Sequence, residues 1–226
     1  MDTATPRVSV AIGRGDSALG RVDLVGGRRH AEQLAPAIRY LCDQLDLDLG
    51  HLTAIAVGLG PGLFTGLRVG VTTAKVMAQA LRLPVVGIPS LDLVAYPARH
   101  TSRLVVAVVD ARRHEVFHAR YRPVPGGVQR VSDYAVDRPA DVVADLEAGG
   151  EEVLLVGDGA QAYPEAFVRL ERVEHAGPAF TAPSATALLE LAGARVEREE
   201  FEAPWDIRPI YLRGSDAEIE WERRAS

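Results

Sequence analysis

Hydrophobic and polar positions alternate at the start of the chain. Val8, Val10 and Ile12 are separated by smaller or polar residues, and this two-residue period predicts a strand, a turn at Gly13–Gly15 and a second strand over 19–25. The period then changes. Leu34, Ile38, Leu41 and Leu45 recur three and four apart, which predicts an amphipathic helix over 31–46, with Pro36 kinking it or lying near its first turn. A β-type run over 53–57 leads into a glycine-rich loop, a helix over 67–81 and a buried strand over 84–88. Ser90 is expected to cap a short helix ending near Pro97.

The second half restarts the alternation. An apolar strand over 104–109 and an alternating one over 115–122 are expected to join at Arg112-Arg113. A helix over 139–147 and a strand over 152–156 follow, and Gly157-Asp-Gly-Ala160 opens another helix. Ser184 caps a last helix running to about residue 197. Two successive β-then-α halves predict an α/β fold of two small lobes, 1–99 and 103–213, with a charged tail at 214–226.

Composition narrows the function classes. A chain of 226 residues that is 47% hydrophobic can bury a substantial core, and its formal charge of −6 argues against gripping nucleic acid unaided, so direct tRNA binding is expected to be weak or absent. The single cysteine, Cys42, excludes an intramolecular disulfide and lies on the apolar face of the first helix, as a small core residue would. Met1-Asp2-Thr3 offers neither a basic nor an apolar leader region, and five Gly or Pro residues interrupt the uncharged run 52–67. A cytoplasmic protein without a membrane span is therefore expected.

Gly58-Leu-Gly-Pro-Gly-Leu-Phe-Thr-Gly-Leu-Arg68 is the most informative stretch. Glycines at a strand-to-helix junction let main-chain N–H groups approach an anion or another backbone, and spacing alone does not separate a phosphate loop from a tight connection. The Walker form is absent, and the only lysine, Lys75, lies two turns into the helix.

Eight ordered stretches together resemble the TsaB (YeaZ) family. They are Asp2-Thr-Ala-Thr5 with Ser9-Val10, His30-Ala-Glu32, the loop Gly58–Arg68, and Gly87-Ile-Pro-Ser-Leu-Asp92. Asp110-Ala-Arg-Arg113 with Glu115-Val-Phe117, Gly157-Asp-Gly159, Pro183-Ser-Ala185 and Pro209-Ile-Tyr-Leu-Arg213 complete the set. The resemblance implies an actin-like ATPase superfold and a noncatalytic paralogue of the TsaD threonylcarbamoyltransferase. Such a subunit pairs with TsaD and, with the ATPase TsaE, serves the installation of threonylcarbamoyl on the adenosine beside the anticodon of tRNAs reading ANN codons. A homodimer is also open when the partner is absent.

The residues fit a pseudoenzyme. Where the paralogous transferase carries two metal-holding histidines, this chain has Ser90 and Val94, and valine cannot donate to a metal. Where that transferase has a second glycine-rich hairpin, this chain has Arg112-Arg113. A degenerate nucleotide or anion site is therefore expected from Asp2, Gly60, Gly62, Asp110, Arg112, Arg113, Gly157 and Gly159, with weak nucleotide binding or none and no resident cofactor or metal. The resemblance also implies a hydrophobic strand before Asp2-Thr-Ala-Thr. Only Met1 precedes it, so a start a few residues upstream, or a destabilised version, is expected.

Two rival chemistries remain. His114-Glu-Val-Phe-His118 fits the H-E-x-x-H zinc-protease pattern, which requires a helix. The alternating segment reads as a strand, where positions i and i+4 lie roughly 13 Å apart, too far to share a zinc. An active phosphotransferase would use Asp2, Asp110 and Asp158 to orient magnesium, although aspartates also terminate strands and brace turns.

The partner interface is expected on the two helices of the first half, at Leu34, Ile38, Leu41, Val69, Ala74, Val76, Met77 and Ala80. On the second helix Arg68, Thr72, Lys75, Gln79 and Arg82 form one polar stripe, which leaves more apolar circumference than a lobe needs. Gly70, Ala74 and Ala78 are small enough for a second helix to approach closely.

Overall fold

The computed structural model describes residues 1–213 apart from 28 and 169; the expected charged tail at 214–226 lies outside the described residues. The first half opens with strands β1 (Arg7–Arg14) and β2 (Ser17–Val25), helix α1 (His30–Gln44), strand β3 (Ile55–Gly58), helix α2 (Phe64–Leu81), strand β4 (Val85–Ile88) and helix α3 (Ser90–Ala95). The second contains β5 (Leu104–Arg112), β6 (Glu115–Val124), β7 (Gly127–Arg130), β8 (Ala135–Asp137), α4 (Pro139–Gly149), β9 (Val153–Val156), α5 (Gly159–Ala162), α6 (Pro164–Phe167), β10 (Val173–His175) and α7 (Ala185–Glu197). This is an α/β fold whose largest sheet is mixed.

β5 carries the six-stranded sheet. It pairs antiparallel with β6 and parallel with β9, in the order β10-β9-β5-β6-β7, with β8 also on β6. Both of its faces are covered, so it is apolar almost throughout: Val105, Ala107 and Val109 pack against α3, whereas Leu104, Val106 and Val108 pack against α4 and the α5–α6 turn. In the first half β1 pairs antiparallel with β2, and β3 pairs parallel with β4.

The two faces of β1 are distinct. Val8, Val10 and Ile12 pack against Leu34, Ile38 and Leu41 of α1. Ser9 faces the other way and accepts from Ala185 N–H at the start of α7 (3.1 Å). Although it comes from the second half of the chain, α7 packs on β1, β2, β3 and β4. Ser184 caps it as expected, accepting from Thr186 N–H. α1 runs through Pro36, and α2 begins a turn earlier than its apolar period suggests, taking in Gly66.

α2 and the loop that leads into it cross the segment 2–5 at very short range, and their glycines make that possible. A Cβ on Gly66 would lie 2.1 Å from the Thr3 carbonyl oxygen, and one on Gly62 would lie 2.3 Å from the Ala4 carbonyl oxygen. Backbone cannot yield there as a side-chain tip can. Gly66→Ala is therefore expected to cost about 3 kcal/mol or more in urea unfolding, whereas Gly177→Ala, with nothing within 4 Å of the added carbon, should stay within about 0.5 kcal/mol.

Candidate functional site

The eight stretches that carry the resemblance gather into two clusters. The first is built around residues 2–5. Asp2 exchanges both backbone hydrogen bonds with Ser9 (2.8 and 3.0 Å), and Gly58 N–H donates to Met1 C=O (3.0 Å). Thr3 Oγ1 donates to Gly66 C=O (2.7 Å), Leu63 N–H donates to Ala4 C=O (2.7 Å), and His30 Nε2 donates to Thr5 C=O (2.7 Å). His30 is buried, and this bond accounts for the His30-Ala-Glu32 stretch, whose role the pattern alone did not reveal.

Asp2 is the centre of this cluster, and both its carboxylate oxygens are used. Oδ1 accepts from Ala4 N–H (3.0 Å) and Oδ2 from Ser90 Oγ–H (2.6 Å). Burial raises the carboxyl pKa, and these two hydrogen bonds oppose the shift. Ser90 Oγ in turn accepts from Gly60 N–H (3.0 Å), and Ser90 N–H donates to Gly60 C=O (2.6 Å). Ser90 is thus no helix cap: Pro89 holds that position, and the hydroxyl ties the glycine loop to Asp2. Val94, the other position opposite the transferase's histidines, is buried in the apolar core beside β5.

The second cluster surrounds the β5–β6 turn. Asp110 N–H donates to Asp158 Oδ1 (3.0 Å). Asp110 Oδ1 accepts from Arg112 N–H (2.7 Å) and Tyr163 Oη–H (2.9 Å), and Oδ2 pairs with the Arg112 guanidinium (3.0 Å). Burial, followed by the nearby Asp110 charge, pushes the Asp158 pKa up. Gly157 (φ +99°) and Gly159 press on Val108 of β5, where a Cβ at Gly157 would lie 2.1 Å from the Val108 carbonyl oxygen. Arg112, Arg113 and His114 all have positive φ (64°, 56° and 60°), so a tight left-handed turn is built from side-chain-bearing residues where glycine or asparagine is usual. Tyr163 had no sequence signal, because it reaches Asp110 from 53 residues away.

The segment before the tail links the clusters. Ile210 N–H donates to Leu59 C=O (2.8 Å), and Tyr211 packs against Phe64 (5.2 Å between ring centroids) and meets Arg68 (3.4 Å). Arg213 pairs with Glu115 and donates to Ala111 C=O (3.1 Å).

The residues expected to hold an anion thus fall into two internally bonded groups, Asp2, Gly60 and Gly62 in one and Asp110, Arg112, Gly157 and Gly159 in the other. Arg113 lies in the turn of the second. Of the glycines expected to admit a phosphate or another backbone, Gly62 and Gly157 admit the chain's own backbone, and Gly60 faces the Leu67 side chain. His118 is on strand β6, with Nε2 hydrogen-bonded to Asp137 (2.8 Å), while His114 is in the turn, so the pair does not form the helical zinc-binding face. Among the described residues no group of three or more His, Cys, Asp or Glu side chains could hold a metal ion, and no helix is long and apolar enough to cross a membrane.

The expected interface divides. Leu34, Ile38 and Leu41 of α1 and Ala74 of α2 are buried in the chain's own core, which corrects the expectation for these four. Gly70 and Ala78 are likewise turned inward, Gly70 against Thr3 Oγ1. Val69 and Met77 are half-buried against α1, whereas Val76, 58% exposed, and Ala80 lie on the surface. Tyr40 of α1, 55% exposed, was missed because a lone aromatic outside the apolar stripe gives no periodic signal.

Ser90→Ala should leave Gly60 N–H and one Asp2 oxygen unpaired in the interior. A loss of about 2–4 kcal/mol in urea unfolding is expected, and Ser90→Thr, which keeps the hydroxyl, should recover part of it.

Comparison with known proteins places these clusters in a family. Residues 22–221 match the family model of TsaD, tRNA N6-adenosine threonylcarbamoyltransferase. Uncharacterized proteins of Mycobacterium leprae and Mycobacterium tuberculosis are 40% identical over 63% of this chain, and the match spans only 39% and 65% of their respective lengths. The tRNA threonylcarbamoyladenosine biosynthesis protein TsaB of Haemophilus influenzae is 30% identical over 99% of this chain and 94% of its own. The solved structure of YeaZ from Pseudomonas aeruginosa superposes with a TM-score of 0.80 at 31% identity, covering 93% of this chain and 97% of that one. The chain belongs to the TsaB (YeaZ) family, paralogues of TsaD.

Proposed function

We propose that this protein is a noncatalytic scaffold subunit of the cytoplasmic machinery that adds threonylcarbamoyl to the adenosine beside the anticodon of tRNAs reading ANN codons. In this reading it pairs with a TsaD-type transferase as a heterodimer and enables binding of a TsaE-type ATPase. Family membership supports this reading along the whole chain. The observation that carries it further is the state of the two clusters. Asp2 and Asp110, the carboxylates that a phosphotransferase of an actin-like fold would turn towards magnesium, are bonded within the chain, and Gly62, Gly66 and Gly157 near them are pressed against its own backbone. Residues 1–99 and 103–213 form the two lobes in this proposal, with α7 lying across their division.

The pairing surface we propose is the exposed side of α1 and α2, centred on Val76 and Ala80. Val76→Glu and Ala80→Glu should each weaken binding to the TsaD-type partner by about 30-fold or more, since a charge enclosed in a dry interface is costly. Unfolding midpoints should move little, because both side chains are exposed. Calorimetric titration of the two proteins reads the affinity, and sedimentation of this chain alone reads homodimer formation. Wild-type affinity in both variants would overturn this surface. An isolated chain that turns over ATP would overturn the scaffold reading.

A further inference from the structure

β2 has one open edge. It pairs with β1, and among the described residues no strand pairs with its other side. The register shows which groups line that side. Ser9 exchanges its backbone hydrogen bonds with Asp2, so it turns its N–H and C=O away from β2 and stands in a non-hydrogen-bonded pair with Asp23. Asp23 therefore turns its own N–H and C=O away from β1, and by alternation Arg21 and Val25 do the same. The ladder is irregular only at Leu19, the extra residue where Ile12 faces Gly20 and Gly13 faces Ala18, so the stretch 20–25 is regular.

The side chains along this edge are held in place. Arg21 and Asp23 hydrogen-bond each other along the strand, Asp23 accepts from Ser9 Oγ–H (2.6 Å), and Arg21 donates to Ser184 Oγ (3.2 Å). Leu19 and Val25, 51% and 78% exposed, stand at the two ends. An open edge is commonly blunted by lysine or proline. This one carries neither, and its two charges are of opposite sign.

We infer that the open edge of β2 is an interface between two copies of this chain, joined antiparallel about a twofold axis at Val22. Residues with outward-facing N–H and C=O must lie opposite one another, which admits only registers that set odd positions against odd ones. With the axis at Val22, Arg21 of each copy lies opposite Asp23 of the other, Gly20 opposite Leu24, and Leu19 opposite Val25. An axis at Arg21 would bring the two arginines face to face, and an axis at Asp23 the two aspartates, so charge favours the Val22 register. That register also covers both exposed apolar ends. A second copy fits as occupant because Leu19-Gly-Arg-Val-Asp-Leu-Val25 is complementary to its own reverse. The pairing satisfies the outward backbone groups of Arg21 and Asp23 in both copies and makes one four-stranded sheet, β1-β2-β2-β1. It uses none of Tyr40, Val76 or Ala80, and the inference is independent of the proposed function.

Sedimentation equilibrium of the isolated chain, up to about 200 μM, should show a dimer. Arg21→Glu sets acid against acid and Asp23→Arg base against base, so each should raise the dimer Kd by about tenfold or more. An equimolar mixture of the two variants sets acid against base in both pairs and should bring Kd back to within about threefold of the original. That recovery depends on Arg21 meeting Asp23. Should Asp23→Arg fail to fold, cysteine cross-linking supplies the test. Val22→Cys should form an intermolecular disulfide under mild oxidation, because the two positions flank the axis about 4.5 Å apart. Leu24→Cys, roughly 13 Å from its counterpart, should not, and the native Cys42 is buried. A chain that stays monomeric, a dimer that both charge variants leave intact, or cross-linking through Leu24→Cys in place of Val22→Cys overturns the inference. So does a dimer that is lost in Val76→Glu and kept in Arg21→Glu, since the contact would then lie on the α1–α2 surface.

Discussion

The close crossing of residues 2–5 over α2 is the constraint on which the first half depends. Gly58, Gly62, Gly66 and Gly70 form a row at intervals of four, and the atoms of Asp2, Thr3 and Ala4 fill the space where their side chains would be. An α-helix brings positions four apart onto one face, so Gly66 and Gly70 make a bare patch at the start of α2, which Gly62 of the preceding loop and Gly58 at the end of β3 extend. Once the segment lies on that patch, Asp2 reaches Ser90 and Ser90 reaches Gly60. That fixes the start of α3, whose Leu91, Val94 and Ala95 pack against β5. One steric fit therefore sets the relation between the first sheet elements and the core of the six-stranded sheet. Each hydrogen bond in the relay contributes about 1 kcal/mol, but a broken relay would leave buried partners at about 1–3 kcal/mol each.

The second cluster repeats the device with different residues. Gly157 and Gly159 press on Val108, and this brings Asp158 to the backbone N–H of Asp110. In both places glycine, which in many folds opens backbone N–H groups to a phosphate, is used for contact of the chain with itself. The left-handed run Arg112–His114 carries bulk and charge where backbone approach would need bare glycine. Loops that look catalytic by composition thus act as internal fasteners.

Much of this was legible in the sequence, for reasons that differ by element. α1, α2, β5 and β6 follow from apolar period, because each buries one face or both over many residues. β7, β8 and β10 were missed: four, three and three residues long, they are held by pairing to a neighbour and leave no periodic trace. Ser90 looks like a cap in sequence because the rule for helix starts is local, whereas its partners are 30 and 88 residues away. The glycine loop was recognised as special, but its spacing could not say whether an anion or a backbone fills it, since both demand the same missing side chains. The site as a whole was legible as a set of motifs, but the hydrogen bonds that join them span the length of the chain.

The inward turn of its small residues changes what can pair with α2. Its small residues, Gly70, Ala74 and Ala78, invite the idea of a second helix packed at close range, yet all three face inward. What α2 offers outward is Arg68, Thr72, Val76, Gln79 and Ala80, a stripe of longer or polar side chains interrupted by Val76 and Ala80. A helix docking there would meet side-chain tips, so its axis should lie towards the wide end of the 8–10 Å range of packed helices. Affinity would then rest on a few anchors, with Tyr40 of α1 suited to be one. The close approach that α2 is built for is intramolecular, and any partner is left the broader, more polar side.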